Sequence, residues 1–183
     1  MDKIKLGVLV GGTSIEREVS KKSCENLLAN LDENKYEITV YHLPADGNTE
    51  WAKNIISNPP QIVLSALHGG NGENGSIQGF LHCLNIPYIG SKVLSSAICM
   101  NKAMAKTVMK ANHIQVPDHV FVMRGVDFSQ YEESIKLMGF PLIVKPNRGG
   151  SSIGVIVARN MEDIHYGIKN IIETYDDDVL IEK

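Results

Sequence analysis

The sequence has 183 residues, of which 43% are hydrophobic and 21% are charged, and this is enough apolar material for one large or two small packed cores. The formal net charge of −3 leaves no basic surface that could follow a nucleic-acid backbone, so nucleic acid is not an expected partner. No apolar run approaches the roughly 18 residues of a membrane span, and no signal-type segment is recognisable, so we expect a cytoplasmic protein without a membrane partner.

The first half of the sequence alternates strands with helices. The predicted strands are 4–10, 36–41 and 62–67, and the predicted helices are 15–31, 51–56 and 76–84. Such alternation predicts a parallel sheet that binds ligands at the carboxyl ends of its strands. We assign residues 1–95 to an α/β, Rossmann-like domain that binds the substrate.

The pattern changes in the second half. An apolar helical stripe is formed by Met100, Met104, Val108 and Ala111. The predicted strands that follow are 119–123, 141–145, 154–158 and 179–181, and the predicted helices are 128–138 and 161–174. Hairpin-like turns with helices on one side predict a second, α+β domain over residues 96–183. Its last strand stops at the end of the sequence, so we expect a chain that is cut short.

The most informative segment is IVKPNRGGSSIG, residues 143–154. An apolar strand ends beside Lys145, and the loop of small residues after it exposes backbone N–H groups and the hydroxyls of Ser151 and Ser152. Such groups bind phosphate oxygens, and a lysine supplies the countercharge. The alternative is a simple hairpin between two strands, in which Lys145 is only an edge-strand charge.

A second glycine-bearing segment, residues 11–20, lies at the turn from the first strand into the first helix. A ligand at this turn would reach backbone N–H groups and a helix N-terminus, and Glu16 could hold a substrate ammonium. The alternative is a capping box, in which Thr13 caps the helix and Glu16 bonds back to the cap N–H.

A third loop, residues 67–78, follows the third strand and contains four glycines. Glycine permits positive φ and a close approach of the backbone to a bound molecule. His68 at the end of the strand could contact substrate, although a single histidine is equally compatible with a structural role. Glu73 in the same loop reads as either a ligand or an exposed charge.

Three lysines, Lys102, Lys106 and Lys110, recur at every fourth position of one helix. This spacing by itself predicts one solvated helical face without a special role. Lys102 is the exception, because it lies in the first turn and could point toward the loop after Lys145.

Taken together, these segments resemble the D-alanine:D-alanine ligase family of ATP-grasp enzymes. The matching residues are Gly11–Ser20, His68-Gly69, Gly75–Gly79, Ile86–Ser91, Met100–Lys102, Ile143–Pro146 and Gly150–Gly154. The resemblance covers almost the whole chain in the right order. It implies a parallel-sheet domain of the kind that precedes an ATP-grasp module, followed by the small ATP-grasp lobe.

The resemblance also implies an activity. The carboxylate of one D-alanine attacks the γ-phosphate of ATP, and the amine of a second D-alanine attacks the acyl phosphate, giving the dipeptide used in peptidoglycan precursors. Glu16 would bind the first ammonium beside His68, and Ser151 would join the hydrogen-bond network around Glu16. Lys102, Lys145 and Ser152 would contact ATP phosphates. Glu182 and Lys183 would begin the hinge that receives adenine.

The second lobe of the ATP-grasp module is not matched by any part of the sequence. In the family that lobe supplies the magnesium ligands, so no metal ligand is assigned to this chain, and Mg²⁺ is expected to be held elsewhere. Without a metal the γ-phosphate charge stays unneutralised, so we expect the chain alone to be inactive.

Two other functions remain open. One is a D-alanine:D-lactate or D-alanine:D-serine ligase, because second-substrate choice is set largely in the unmatched lobe. The other is a nucleotide-binding module without catalysis. The family resemblance also implies a possible homodimer.

Overall fold

The computed structural model describes residues 2–183, and the strands in this range form two separate four-stranded sheets. The chain divides into two compact units, the first reaching Ala97 and the second running from Ile98 to Lys183. Each unit carries one sheet and its own buried core. Within the described range, no helix is both long and apolar enough to cross a bilayer.

The first unit alternates strands and helices, as the sequence predicts. Its strands are β1 (Ile4–Gly11), β2 (Tyr36–Leu43), β3 (Ile62–Ser65) and β4 (Tyr88–Ile89). Its helices are α1 (Arg17–Asn30), α2 (Glu50–Ser57), α3 (Gly70–Glu73), α4 (Ser76–Cys83) and α5 (Val93–Met100). The last three residues of α5 belong to the second unit. All strand pairs are parallel, in the order β2-β1-β3-β4. The glycine-rich loops after β1 and β3 therefore leave the same edge of the sheet.

The central strand β1 is buried on both faces, which explains its continuous apolar run. Leu6, Val8 and Val10 pack on one side with Cys24 of α1. Leu9 faces the opposite side and joins a second cluster around α2 and α4. Burial on both faces holds the carboxyl end of β1, and the loop that starts there, in a fixed position.

The second unit is built on antiparallel pairs. Its strands are β5 (His119–Val122), β6 (Leu142–Pro146), β7 (Ile156–Ala158) and β8 (Val179–Glu182), and its helices are α6 (Lys102–Ala111), α7 (Glu132–Met138), which follows a 3-10 turn at Phe128–Tyr131, and α8 (Met161–Tyr175). The strand order is β5-β8-β6-β7. The predicted fold class, a parallel α/β unit followed by an α+β unit, is confirmed.

One face of the second sheet is covered by α8. Ile164, Ile168 and Ile171 of this helix pack in one cluster with Val144 of β6 and Ile181 of β8. Because side chains alternate along a strand, Lys145 then points to the other face of the sheet. The hydrophobic core thus sets the direction of the Lys145 side chain.

The sequence did not predict α3, β4 or α5. A helix of four residues and a strand of two are shorter than the periods that reveal such elements. The prediction that Met100 lies on the same helix as Met104, Val108 and Ala111 was wrong, because the helix is interrupted at Asn101. The Asn101 side chain accepts a hydrogen bond from the Met104 N–H at 3.0 Å and caps a new helix.

Candidate functional site

The residues singled out by the sequence fall into two groups, one in each unit. The first unit contains Glu16 and His68. The second unit contains Lys102, Lys145, Ser151, Ser152, Glu182 and Lys183. Within the first unit the loops place Glu16 against Gly69, next to His68 in the chain, and within the second unit Lys102 and Lys145 lie near Glu182.

The loop after β1 is fixed by buried hydrogen bonds. The Gly11 N–H donates to Ser20 Oγ at 2.8 Å, and the Gly12 N–H donates to the Leu43 carbonyl at 2.7 Å. Gly11 has a φ of 96°, and a Cβ atom there would collide with the Leu43 carbonyl oxygen, so only glycine fits. Ser20 is fully buried and is a supporting residue that the sequence gave no signal for.

The capping-box alternative for Glu16 is wrong. Helix α1 begins at Arg17, Glu16 occupies its N-cap position, and no side chain makes the cap hydrogen bond. The Glu16 N–H instead donates to Ser14 Oγ at 3.1 Å, and the Arg17 N–H donates to the Ser14 carbonyl at 3.1 Å. This local turn delays the start of the helix to Arg17. The Glu16 carboxylate contacts another loop.

The Glu16 carboxylate lies against Gly69, in the loop after β3. A Cβ atom at Gly69 would clash with Glu16 Oε2 and would lie 2.6 Å from Ser14 Oγ. Gly69 also has a φ of 64°, a conformation that side chains disfavour. The glycine therefore allows the two loops to touch, and their contact places the Glu16 carboxylate against Gly69, the residue that follows His68.

His68 is held by a hydrogen bond within the first unit. Its Nε2 atom lies 2.8 Å from Ser23 Oγ of α1. This bond fixes the orientation of the ring, and Ser23 is a second supporting residue that the sequence did not reveal. Glu73 is also more than a solvated charge, because its carboxylate accepts the Gly69 N–H at 2.9 Å.

A cavity of about 120 Å³ opens at the carboxyl edge of the first sheet. Its lining includes Thr13 after β1, Pro44 after β2 and His68 after β3. The space is that of about four water molecules, which suits a compound the size of a small amino acid. Glu16 borders the same loops but is not part of the lining. Open α/β sheets bind small molecules at this edge.

In the second unit, Lys145 lies on an interior strand, since β6 is paired with β8 on one side and β7 on the other. The alternative of an edge-strand charge is therefore wrong. The hairpin interpretation is correct as topology, because the loop joins the antiparallel neighbours β6 and β7. Lys145 Nζ forms an ion pair with Glu182 Oε1, and the two side chains are only 19% and 12% exposed.

The other oxygen of Glu182 is approached by Lys106. Lys106 Nζ lies 2.8 Å from Oε2, and both side chains are 12% exposed. The contact is an ion pair, since Oε2 has no hydrogen-bond partner among residues 2–183. Burial alone would raise the pKa of the Glu182 carboxyl, but its pairing with Lys106 and Lys145 outweighs burial and holds that pKa below its usual range. The prediction that Lys106 lies on a solvated face is wrong.

Lys102 points toward the loop after Lys145, as the sequence suggested. Its ammonium donates to the carbonyls of Pro146 at 3.0 Å, Asn147 at 3.4 Å and Gly149. Burial, followed by the nearby charge of Lys145, lowers the pKa of Lys102, and Asp177 and Glu182 offset only part of this effect. Two lysine charges near each other beside one loop are suited to bind an anion there.

Two buried polar residues hold the start of this loop, and neither was evident in the sequence. Asn147 is fully buried, its Oδ1 accepts the Ala103 N–H at 2.9 Å, and its carbonyl accepts the Lys102 N–H at 3.1 Å. Asp177 is 6% exposed and accepts the Arg148 N–H at 2.5 Å. These bonds tie the loop to the first turn of α6 and to the segment before β8.

The two serines lie at the tip of the loop. Ser151 and Ser152 have φ values of 50° and 57°, which are uncommon for residues other than glycine. Both residues are exposed. Lys183 lies apart from them, where its ammonium donates to the Gly139 carbonyl at 2.9 Å.

Metal ligands do not cluster in residues 2–183. No group of three or more His, Cys, Asp or Glu side chains in this range has the geometry to hold a metal ion. The residues present therefore do not fit a magnesium site of their own, and no step is assigned to a metal on them.

Comparison with known proteins gives a consistent family. The protein-family model of the D-ala D-ala ligase C-terminus matches residues 108–183. The family model of the D-ala D-ala ligase N-terminus matches residues 49–91. A D-alanine–D-alanine ligase of Bacillus anthracis is 41% identical over 181 residues, or 98% of this chain and 57% of the relative. The chain belongs to the D-alanine–D-alanine ligase family.

Another member of this ligase family is also similar over the whole chain. A D-alanine–D-alanine ligase of Thermoanaerobacter sp. is 34% identical across 100% of this chain and 61% of its own length. The chain therefore spans less than two thirds of the length of the curated ligases it matches.

Solved structures share the fold of the chain. The Bacillus anthracis D-alanine–D-alanine ligase complexed with ATP has a TM-score of 0.83 and 37% identity, covering 98% of this chain and 58% of that ligase. A D-Ala:D-Ser ligase of Enterococcus faecalis has a TM-score of 0.83 and 26% identity, covering 100% of this chain and 63% of that enzyme. The family fold thus accommodates more than one second substrate.

Proposed function

We propose that this chain supplies the amino-acid-binding and phosphate-binding parts of an ATP-dependent ligase that joins two D-alanines for peptidoglycan precursors. The observation that carries the proposal is that Lys102 contacts the loop of small residues that follows Lys145, with the charges of the two lysines near each other. ATP is the nucleotide of choice because a similar ligase has been solved with it.

The second unit would bind the triphosphate. Lys145 and Lys102 supply positive charge, while Ser151, Ser152 and the loop N–H groups donate hydrogen bonds to phosphate oxygens. Such preorganised donors offset the charge that develops during phosphoryl transfer. The backbone at Glu182 and Lys183 would receive the adenine, as the resemblance implies.

The first unit would bind the first D-alanine. Glu16 offers a carboxylate to the substrate ammonium, and His68, held by Ser23, contacts the same molecule. The cavity beside His68 is large enough for a small amino acid. The network between Glu16 and Ser151 stays a prediction from the resemblance. Glu16 and Ser151 are the residues we propose to take a direct part in catalysis.

Magnesium would be bound by residues outside 2–183. The metal supplies charge neutralisation of the phosphates when bound. A homodimer and a cytoplasmic location likewise stay predictions, made from the family resemblance and from the sequence.

The decisive test is a chimera in which the part of the Bacillus anthracis ligase beyond the match follows Lys183. We expect D-alanine-dependent phosphate release and D-alanyl-D-alanine from the chimera, and neither from the 183-residue chain alone. Lys145→Met should lower the chimera's turnover at least about 100-fold, because a cation at the phosphates is lost. Phosphate and dipeptide are measured separately.

Lys136→Met is the matched control, because Lys136 is 57% exposed and, within residues 2–183, forms an ion pair only with Glu132 of its own helix. It should keep full turnover. Assays with D-lactate and D-serine as second substrates separate the alternative ligases, and D-lactate or D-serine turnover above that with D-alanine would reject the substrate we propose. ATP binding without any ligation would favour the non-catalytic module.

A further inference from the structure

Glu182 is a largely buried carboxylate that lies between two lysines. Lys145 pairs with its Oε1 atom, and Lys106 lies 2.8 Å from its Oε2 atom. The exposed fraction is 12% for Lys106 and Glu182 and 19% for Lys145. The motifs that identify the family give a role to Lys145 but none to Lys106.

The secondary structure explains why the three groups meet. In the antiparallel pair of β6 and β8, Ile143 lies opposite Glu182 and Lys145 lies opposite Leu180. Lys145 and Glu182 are therefore diagonal neighbours on one face of the sheet, within reach of long side chains. Helix α6 contributes Lys106 one turn after Lys102, so both ammonium groups fall on the same side of the helix.

The charges pose a problem for phosphate binding. In the free protein the positive charge of Lys145 is already matched by Glu182. If Lys145 turned to a phosphate oxygen, Glu182 would lose one of its two partners while still largely buried. A buried carboxylate without a partner is costly and tends to take up a proton instead. The other nearby charges are Lys102, on α6, and Asp177, before β8.

We propose that Lys106 is a positioning residue for phosphate binding. It holds Glu182 ionised and in place while Lys145 moves from the carboxylate to a phosphate oxygen. The proposal rests on the function proposed above, since it concerns the same phosphate site. It adds Lys106 to the residues on which ATP affinity depends, although Lys106 itself does not touch the phosphates.

The exchange has a measurable consequence when Lys106 is lost. In Lys106→Met, Glu182 either keeps Lys145 or becomes protonated when Lys145 leaves. Nucleotide affinity should fall about tenfold, because part of the binding free energy is spent on separating a buried pair. Binding near pH 6 should also take up a proton, which wild-type binding does not require at this site.

The test is calorimetric titration of the 183-residue chain with ATP·Mg²⁺ and with tripolyphosphate, in buffers of different ionisation enthalpy. Lys106→Arg keeps the charge and should retain most of the affinity without proton uptake. Lys110→Met is the matched control on the exposed part of the same helix and should bind as wild type does. Equal affinity and equal proton uptake in Lys106→Met and wild type would overturn the proposal.

A second measurement needs no ligand. The Glu182 carboxyl is followed by carbon NMR from pH 3 to 7 in the folded wild type, Lys106→Met and Lys106→Arg. We expect the Glu182 pKa to rise in Lys106→Met and to stay low in Lys106→Arg. An unchanged titration in Lys106→Met overturns the role of Lys106 even if no nucleotide binds. Failure of wild type to bind either phosphate compound would instead count against the proposed function.

Discussion

A single carboxylate, that of Glu182, compensates two buried ammonium groups, so its removal is expected to be felt at neutral pH. Glu182→Gln leaves Lys106 and Lys145 facing each other without an anion. We expect a loss of about 3 kcal/mol in the free energy of unfolding at pH 7, the low end for breaking a buried pair, since each side chain keeps some exposure. Urea denaturation at several pH values measures the loss.

The pH dependence of this loss follows from the lowered pKa of Glu182. An acid with a lowered folded-state pKa stabilises the protein above its unfolded value of 4.5, and this contribution disappears as the pH falls through the folded value. The gap between wild type and Glu182→Gln should therefore close below pH 4.5. Glu173→Gln, at a 64% exposed site, should track wild type throughout. A gap that stays constant with pH would contradict the assignment.

At this scale the sequence predicted the residues that belong to recognisable motifs. Lys145 was singled out because a loop of small residues follows it. Lys102 was singled out because a helix begins there. Lys106 was missed because spacing by four is the same for a solvated face and for a face turned to a carboxylate. Asn147 was missed because its role depends on the Ala103 and Lys102 N–H groups, which are distant in sequence.

Among the elements, the helices α8 and α4 each have an interior glycine, and the surroundings of the two glycines are opposite. A Cβ atom at Gly167 of α8 would lie 3.0 Å from Val144 Cγ1, whereas one at Gly79 of α4 would meet nothing within 4 Å. Gly167→Val should therefore cost about 1–3 kcal/mol through overpacking against β6. Gly79→Ala should stabilise the protein by about 0.5–1 kcal/mol, because alanine has less backbone entropy to lose.

Denaturation of both variants by urea provides the measurement. Since Val144 and Lys145 are adjacent on β6, Gly167→Val should also weaken tripolyphosphate binding, while Gly79→Ala should not. A stabilising Gly167→Val would show that α8 can move away from the sheet at little cost, contrary to the packing described.

Long elements were predictable from periodicity, and short ones were not. The fourteen residues of α1 and the eight of β1 give clear patterns, and both were placed within about two residues. The break between α5 and α6 depends on one capping side chain, Asn101, so an apolar stripe read across it was misleading. Ser23 and Ser20 had no signal, because their hydrogen bonds reach residues on other elements.

For the whole molecule, each unit has a core that can be probed separately. The one tryptophan of the sequence, Trp51, packs against Phe80 in the first unit at a ring-centroid distance of 5.4 Å. Its fluorescence therefore reports on that unit. Ile171→Ala, at a fully buried site of the second core, should lose about 2–5 kcal/mol from the second unit and leave the tryptophan transition in urea unchanged.

The reciprocal variant is Ile55→Ala, which is fully buried in the cluster next to Trp51. It should shift the tryptophan transition to lower urea concentration, while circular dichroism retains a second transition at the wild-type position. Equal shifts of both signals by either variant would mean that the units unfold as one.

The order of the two units, and their difference in sheet type, could be predicted because strand and helix alternation changes along the sequence. The family could be predicted because several motifs occur in one order. The internal geometry of each site could not, since it is set by loop contacts such as that between Glu16 and Gly69. No periodicity encodes a contact of this kind.

The contact at Gly69 has a consequence for protein engineering. The Glu16 carboxylate lies against the Gly69 backbone, which has no side chain. The position of Glu16 therefore depends on both loops. Transplanting the first loop alone into another open sheet would meet a Cβ atom at the equivalent position and turn Glu16 aside. A graft of the proposed amino-acid subsite must therefore carry both loops, together with Ser14, which lines the same contact.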